Sequence, residues 1–254
     1  MRTRSDFPLL LVLSLLFASF LLTGCAPKIR GWSQEAFRTP DFKNGALAGQ
    51  KLALFPVIVL QAPAGKVAPE SAIPSAPYTP SSTGISLDQQ GGQPQEVHRV
   101  ILNEMLLSSF YNRYSAIEVM TPGQVLKALN DSGLTENYQE FLHDFNRIGQ
   151  NGILIKKFGA ALGCRYLFLS QAVVTEYKTD ASYTIVWTFA RKSILNVVKI
   201  SAQIWDCQTE KQIWEGSGVG YNHLAPYEGA PLMENMAGKA VESLLGAITP
   251  LRDM

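Results

Sequence analysis

The class of fold is decided by one short stretch of the chain, Lys51–Leu60, which reads KLALFPVIVL. Eight of its ten residues are apolar, so polar and apolar positions do not alternate along it. A run of this kind is typical of a strand covered on both faces, and it predicts a sheet with helices on either side. Pro56 lacks the backbone N–H that a ladder uses, which predicts an edge position or a bulge there. The sequence therefore indicates an α/β fold.

Further elements follow in an order that continues the α/β pattern. Helical spacing of apolar residues predicts helices over 96–111, 122–129, 136–148, 153–162 and 232–248. Apolar or alternating segments predict strands over 117–120, 165–177, 194–205 and 211–221. Thr121 and Pro122 supply an N-cap and a first-turn proline, and Gly163 supplies a left-handed C-cap. The predicted buried face of the first helix comprises Val97, Val100, Ile101, Met105 and Ser108, widened by Leu102, Leu106 and Phe110.

Two segments are predicted to lack regular structure. Residues 25–50 contain Pro27, Pro40 and several glycines without sustained periodicity, which predicts a flexible tether that begins at Cys25. Fully extended, such a tether reaches about 80 to 90 Å. Residues 61–95 hold six of the 14 prolines and few large apolar side chains, so we expect a disordered insertion there. A single α/β domain is accordingly assigned to residues 51–250.

The amino terminus has the features of a secretory leader. Arg2 and Arg4 are followed by an apolar run, Leu9–Leu22, of 14 residues that only Ser14 and Ser19 interrupt. As a helix this run spans about 21 Å, which is shorter than the ~30 Å hydrocarbon core that a resident transmembrane helix crosses. The run is therefore predicted to be a cleaved signal rather than a membrane span.

The residues that end the leader, Leu21-Leu22-Thr23-Gly24-Cys25, resemble the lipobox of bacterial lipoproteins. The resemblance implies that residues 1–24 are removed as a signal peptide, that the Cys25 thiol is lipidated, and that the new amino terminus is acylated, with palmitate as the expected group. Ala26 stands where the inner-membrane retention signal of enterobacterial lipoproteins places Asp, which by resemblance favours the outer membrane. The expected location is its periplasmic face, with exposure at the cell surface left open. The alternative is an ordinary signal peptide that happens to contain a cysteine.

The composition and the reactive residues give no sign of an enzyme. Lys plus Arg number 22 and Asp plus Glu number 21, so no charge imbalance attracts nucleic acid. His98, His143 and His223 stand apart from any Cys or carboxylate at metal-ligand spacing. The GSGVG segment at 216–220 lacks the Lys-Ser/Thr pair of a phosphate loop, and glycines in a strand that passes close to a helix explain it better. We expect no catalytic residue, no metal and no cofactor.

Cys164 and Cys207 remain as thiols once Cys25 is lipidated, and they are expected in an oxidising compartment. A disulfide between them is one hypothesis, and two buried thiols are the other. A hairpin that turns near residues 185–186 places the two opposite each other, whereas a turn at 179–182 places them out of register. The sequence leaves this choice open.

The order of elements and three short stretches resemble a group of envelope proteins. The stretches are Gly159–Leu167 (GAALGCRYL), Ala202–Thr209 (AQIWDCQT) and Ile213–Gly216 (IWEG), together with the first strand. The order of elements and these stretches resemble those of proteins built on one shared fold, namely the curli-secretion channel protein CsgG, the penicillin-binding-protein activator LpoB and the amino-terminal domain of TolB. The resemblance implies a mixed β-sheet flanked by helices, and a role in envelope assembly, secretion or its regulation without catalysis. Glu210 replaces the Gly that is usual in the turn after the second stretch.

In the channel member of that group, long membrane-spanning hairpins follow two of the strands. Here the connection 222–231 is too short to cross a bilayer twice at about 9 to 11 residues per strand, which disfavours a pore. The connection 178–193 is the candidate partner surface, because aromatic side chains adjoin cations there. Its candidate binding residues are Tyr183, Trp187, Phe189, Arg191 and Lys192. A hairpin that packs these aromatics on its own sheet is the alternative.

The function expected from the sequence is that of a lipid-anchored periplasmic interaction domain, held at the membrane through Cys25 and directed at an envelope protein. A subunit of a ring-forming export channel and a periplasmic hydrolase with an unrecognised site are the alternatives. Homo-oligomerisation is left open.

Overall fold

The computed structural model of the chain describes residues 29–43, 45–61, 93–114, 116–143, 152–179, 193–222 and 233–248. Within these ranges the strands are β1 (Ile29–Arg38), β2 (Lys51–Leu54), β3 (Ile58–Gln61), β4 (Glu118–Met120), β5 (Tyr166–Thr179), β6 (Ser193–Asp206) and β7 (Lys211–Asn222). The helices in the same ranges are α1 (Gln93–Arg113), α2 (Pro122–Asp131), α3 (Thr135–His143), α4 (Gly152–Leu162) and α5 (Met233–Ile248).

One sheet contains all of these strands, in the order β1-β7-β6-β5-β2-β4, with β3 also paired to β5. The pairs made by β2, β3 and β4 are parallel, while β1, β7, β6 and β5 are joined by antiparallel pairs. On one face the sheet packs with α1 and α5 around Leu54, Phe110 and Trp214. On the other face, beside β2 and β5, it packs with α2, α3 and α4 around Phe55 and Phe158. The predicted α/β fold with a mixed sheet flanked by helices is confirmed.

The first apolar stretch forms two strands, β2 and β3, with Pro56 between them. Leu54 pairs with Phe168 of β5, and Ile58 pairs with Gln171. The chain thus advances four residues between these two pairs, whereas β5 advances only three. The extra residue is a bulge. The amide of Val57 donates to the side-chain oxygen of Asn103, at 2.9 Å, instead of to a strand. The bulge predicted from the proline is confirmed.

Strand β1 corrects one prediction, because part of the tether assigned to residues 25–50 is ordered in the sheet. Residues 29–38 pair with β7 in antiparallel register and form an edge of the sheet. Every residue of this strand is exposed or half-buried. Its sequence therefore has no sustained apolar periodicity, which is why the strand was not predicted.

The end of β1 is fixed to the last helix by Arg38. Its guanidinium donates to the carbonyl oxygens of Ala247 and Ile248, at 2.9 and 2.7 Å, at the C-terminus of α5. A cation is favoured there by the helix dipole. Glu35 accepts hydrogen bonds from Arg38 and, at 3.1 Å, from the indole of Trp214. Burial raises the pKa of Glu35, but these hydrogen bonds and the charge of Arg38 outweigh it, so its pKa is lowered overall.

Helix α5 lies directly on the glycines of β7. A Cβ built at Gly218 would overlap the backbone of Ala240 and Leu244, and one built at Gly220 would overlap the carbonyl oxygen of Met236. The helix backbone thus approaches the strand more closely than any side chain would permit. This contact confirms the explanation given for the GSGVG segment.

The predicted helix caps at Thr121 and Gly163 are confirmed. The Thr121 hydroxyl accepts from the amide of Gln124, and the Gln124 side chain accepts from the amide of Thr121, which is a capping box. Gly163 ends α4 with a φ of +57°. Helix α3 was predicted over 136–148, of which 144–148 lie outside the described residues.

Helix α1 is longer than predicted and buries a narrower face. It begins at Gln93, inside the segment assigned to the disordered insertion. Leu102, Leu106 and Phe110 are fully buried, whereas Val97 is 55% exposed and Val100 is 57% exposed. The inward face predicted for the first turns is therefore wrong. The face that packs against the sheet and α5 is the one formed by Leu102, Leu106 and Phe110.

Candidate functional site

Most of the residues singled out from the sequence lie outside the described part of the chain. These are the leader with Cys25, residues 62–92 of the insertion, and the connection 180–192. The connection holds the five candidate binding residues, Tyr183, Trp187, Phe189, Arg191 and Lys192. The roles assigned to them stay predictions.

Cys164 and Cys207 are both described, and both are buried free thiols in the cluster beneath α4. The pairing of β5 with β6 places Tyr166 opposite Asp206, and the register is therefore centred on residue 186. Of the two hairpin registers considered from the sequence, this is the one that brings the cysteines together.

The two thiols are hydrogen-bonded to each other. The bond from Cys207 lowers the pKa of Cys164, whereas the bond to Cys164 and burial raise the pKa of Cys207. Gly159 of α4 makes room for the pair, because a Cβ built at this glycine would overlap the Cys207 side chain. A thiol that ionises more readily than its neighbour is the one that attacks in thiol–disulfide exchange. Both thiols are free in this structure, and a disulfide between them stays a prediction.

One end of the sheet gathers the start of β1, the end of β7 and the β5–β6 hairpin. Arg30 of β1 lies opposite Tyr221 of β7, Tyr221 lies opposite Val197 of β6, and Val197 lies opposite Thr175 of β5. Beyond that row, β1 and β7 each have one further residue, while the β5–β6 ladder has four further pairs. The hairpin therefore projects past the start of β1.

The face of β1, β7, β6 and β5 that points away from α5 carries a row of opposed residues. The row consists of Trp32, Val219, Lys199 and Val173, one from each strand. Val219 is fully buried, and Lys199 is only 7% exposed. Burial lowers the pKa of Lys199. Sequence reasoning missed the place of Trp32 in this row because β1 was assigned to the tether.

A small cleft lies between the Pro56 bulge and helices α1 and α3. Its volume is about 80 Å³, and its lining residues are Pro56, Val57, Ile58, Val59, Glu96, Arg99, Tyr138 and Leu142. Glu96 and Arg99 form an ion pair there, and burial raises the pKa of Tyr138 to about 12. Small-molecule sites usually enclose about 300 to 1,000 Å³. This cleft is therefore too small for a typical substrate.

His98 is half-buried on α1, outside the lining of that cleft. Burial lowers its pKa, and the carboxylate of Glu234 on α5 opposes that shift only in part. Within the described ranges, no group of three His, Cys, Asp or Glu side chains is placed to hold a metal ion. Across the same residues, no helix combines the length and the apolar character needed to cross a membrane.

Comparison with known proteins gives distant structural likenesses. No protein-family model matches the chain, and no curated protein matches it. The chain is similar to the LpoB C-terminal domain from Salmonella enterica at 15% identity, with 69% of this chain and 85% of that chain covered and a TM-score of 0.34. It is similar to lipoprotein GNA1162 from Neisseria meningitidis at 13% identity, with 78% and 97% covered and a TM-score of 0.39.

A third likeness is to the PelC dodecamer from Paraburkholderia phytofirmans, at 12% identity, with 85% of this chain and 98% of that chain covered and a TM-score of 0.32. These likenesses do not show a family. Their identities and TM-scores are too low to assign a function to this chain. The resemblance to CsgG and to the amino-terminal domain of TolB stays a prediction.

Proposed function

We propose that the protein is an outer-membrane lipoprotein, acylated at Cys25, whose α/β domain is a non-enzymatic interaction domain in envelope assembly, secretion or its regulation. The observation that carries the proposal is a distance along the chain. The lipobox-like cysteine stands four residues before Ile29, where β1 enters the sheet. An acylated Cys25 would therefore hold the folded domain itself at a membrane.

The attachment of β1 to the rest of the domain supports this proposal. The strand pairs along its length with β7, and Arg38 holds its far end on α5. A single acyl chain gives only marginal membrane binding, whereas several chains give stable anchoring. Acyl chains on both the thiol and the amino terminus of Cys25 would meet that requirement.

The proposed partner is an envelope protein, and the proposed contact residues are Tyr183, Trp187, Phe189, Arg191 and Lys192. Aromatic and arginine side chains are enriched at protein interfaces. The connection that holds them joins β5 to β6 at the sheet end where β1 begins. The binding residues and the anchor are thus proposed to lie near one another.

The anchor is tested by fractionating cells that express the full chain, Cys25→Ser or Ala26→Asp. We expect the wild-type chain in the outer membrane with an acylated Cys25 by mass spectrometry. Cys25→Ser should remain unacylated, and Ala26→Asp should move to the inner membrane. A Cys25→Ser chain that is processed normally and stays membrane-bound would overturn the lipoprotein proposal.

The partner surface is tested by cross-linking in native envelopes, followed by purification of the full-length chain. We expect an envelope protein that is lost when Trp187→Ala and Arg191→Ala are combined. The matched control combines Tyr111→Ala and Lys127→Ala, which alters an exposed aromatic and an exposed cation on α1 and α2. Equal recovery by the two double variants would remove 180–192 from the proposal.

A further inference from the structure

The outer side of β1 is an open edge of the sheet, because no strand in the described ranges pairs with it. The strand is ten residues long, whereas β3 and β4, which border the other side of the sheet, have four and three. Ser33, Glu35 and Phe37 are exposed along it. Proteins commonly protect a sheet edge by keeping it short or by placing proline or lysine in it, and β1 contains neither residue. This edge can therefore accept a further strand.

The β1–β7 ladder shows which backbone groups of β1 point outward. The amide of Thr39 donates to the carbonyl oxygen of Ile213, at 2.9 Å. Backbone groups alternate between the two sides of a strand, so every second residue of β7 from Ile213 to Tyr221 is hydrogen-bonded to β1. Before the bulge of β1, the partners of that set are Gln34, Trp32 and Arg30. Gly31 and Ser33 alternate with them and therefore direct their N–H and C=O groups at the open edge.

We infer that this edge pairs with the β1 edge of a second copy of the chain, in antiparallel orientation around a two-fold axis beside Trp32. The inference goes beyond the proposed function and does not depend on a lipid anchor. The straight part of β1 runs from Ile29 to Glu35, before the bulge, and Trp32 is its midpoint. An axis at Trp32 therefore lets all seven residues of the straight part pair with the same seven residues of the second copy.

The residues that this register places opposite each other are compatible. Gly31 of each copy lies opposite Ser33 of the other, and the outward backbone groups of both are used. Trp32 lies opposite Trp32 at a non-hydrogen-bonded position, where the two Cα atoms of a pair are about 4.5 Å apart. Aromatic pairs at opposed positions are stabilising. Arg30 lies opposite Gln34, so no like charges face each other across the axis.

The indole of Trp32 has a hydrogen-bonding requirement that the described part of one chain leaves unmet. Its Nε1 atom is buried and has no hydrogen-bond partner among the described residues. A buried indole N–H usually has a partner. In the proposed register, Gln34 of the second copy is a diagonal neighbour of Trp32 on the same face, and long side chains reach diagonal neighbours. The amide oxygen of that glutamine can accept from the indole.

Helix α5 leaves room for the second copy. Its backbone lies on the glycines of β7, one strand in from the edge, and the side chains of Lys239 and Ser243 lie over Gly31. Strands are about 4.8 Å apart, so the two α5 helices would be separated by three strand spacings, or about 14 Å. Packed helices approach to about 8 to 10 Å, so the two backbones would not collide. Each Lys239 pairs with Glu242 of its own helix at 2.7 Å, which limits repulsion between the copies.

The first test measures the mass of the full-length chain in detergent by analytical ultracentrifugation, for the wild-type chain, Ser33→Pro and the matched control Ser33→Ala. Proline at position 33 removes an outward N–H that β7 does not use, so the fold should remain while the pairing is lost. We expect two chains per particle for the wild type and for Ser33→Ala, and one chain for Ser33→Pro.

A wild-type chain that is single would overturn the inference, even where the edge accepts a strand from another protein. An assembly of more than two chains would also overturn it, because pairing around a two-fold axis closes at two. So would a Ser33→Pro chain that still forms the two-chain particle. Urea unfolding of each variant shows whether the fold is retained.

The second test leaves the backbone of the edge unchanged and so does not depend on Ser33→Pro folding. Trp32→Cys places two thiols opposite each other across the axis, at a Cα separation of about 4.5 Å that permits a disulfide. The matched control, Gln34→Cys, lies on the same face of the same strand, but its two copies would be about 14 Å apart. The yield from the wild-type chain, whose own cysteines are present in both variants, is subtracted.

After mild oxidation of the full-length chains, the disulfide-linked dimer of Trp32→Cys should exceed that of Gln34→Cys by at least about fivefold. Equal yields from the two variants would overturn the inference. The absence of a linked dimer from Trp32→Cys would overturn it as well.

Discussion

The thiol of Cys164 is hydrogen-bonded to the thiol of Cys207, and Gly159 lies against the pair without a side chain. The two cysteines enclose a loop of about 40 residues, and in the chain-entropy model a disulfide that closes such a loop stabilises a domain by about 4 kcal/mol. The same contact exists in the reduced chain as a hydrogen bond. In the chain-entropy model the disulfide would act mainly by restricting the unfolded chain.

We expect the pair to be oxidised in protein purified from the envelope. Two thiols lose two protons and two electrons to a disulfide oxidant by exchange, which lowers the mass of the chain by two hydrogens. Intact-mass analysis after alkylation under denaturing conditions, with and without prior reduction, measures this. Alkylation of both cysteines without reduction would contradict the prediction.

Gly220→Ala should destabilise the domain by about 1 to 3 kcal/mol or more, because the new methyl group would overlap the backbone of α5. The control is Gly123→Ala in α2, where a Cβ would meet nothing within 4 Å. Alanine is favoured over glycine in a helix, so this change should stabilise by about 0.5 to 1 kcal/mol. Urea unfolding compares the two variants. Similar effects from both would refute the close approach of α5 to β7.

Glu210 has a φ of +58°, a left-handed conformation that glycine adopts without strain. Its carboxylate pairs with Lys156 at 3.1 Å, an exposed contact that contributes about 0 to 1 kcal/mol. We expect Glu210→Gly to be at least as stable as the natural chain, since relief of strain of about 1 to 2 kcal/mol offsets the lost pair. Glu210→Ala loses the pair and keeps the strain, so it should be less stable than Glu210→Gly. Identical unfolding midpoints for the two would show that the backbone there is unstrained.

His98 should make the domain less stable in mild acid. Burial holds its pKa below the ordinary value, against a partial opposing effect of Glu234, so the unfolded chain binds more protons than the folded one just below pH 6.5. The free energy of unfolding therefore falls as the pH drops below about 6.5 and stops falling below the folded pKa. His98→Gln should lose less stability between about pH 7.5 and pH 5 in urea unfolding. An unchanged pH dependence in that variant would assign the effect to other groups.

The sequence predicted those parts of the fold that local chemistry dictates. A proline inside an apolar run lacks the backbone N–H that a ladder uses, which made a bulge predictable. The caps at Thr121 and Gly163 were predictable because they depend only on local side-chain and backbone geometry. The glycines of β7 predicted a close approach of a helix, because glycine weakens a strand interior unless another backbone passes close to it.

The features that were missed depend on tertiary contacts. The first turns of α1 offered two overlapping apolar stripes, and only packing on the sheet selects Leu102 over Val100. Strand β1 is held by its ladder with β7 and by Arg38, neither of which leaves a periodic pattern. The contact between the cysteines depends on the register of the β5–β6 hairpin. The sequence left two turn positions open, and only the pairing of the two strands selects the register centred on residue 186.

The pairing of β1 with β7 also sets an order of events in folding. Trp32 lies opposite Val219, so the two strands are separated by nearly the whole domain in sequence. Contacts of such high sequence separation form slowly, because the intervening loop has to close first. Strand β1 therefore cannot complete its ladder until β7, the last of the described strands along the chain, has been synthesised. Strand β1 is thus the first of the described elements to be synthesised and among the last to be completed.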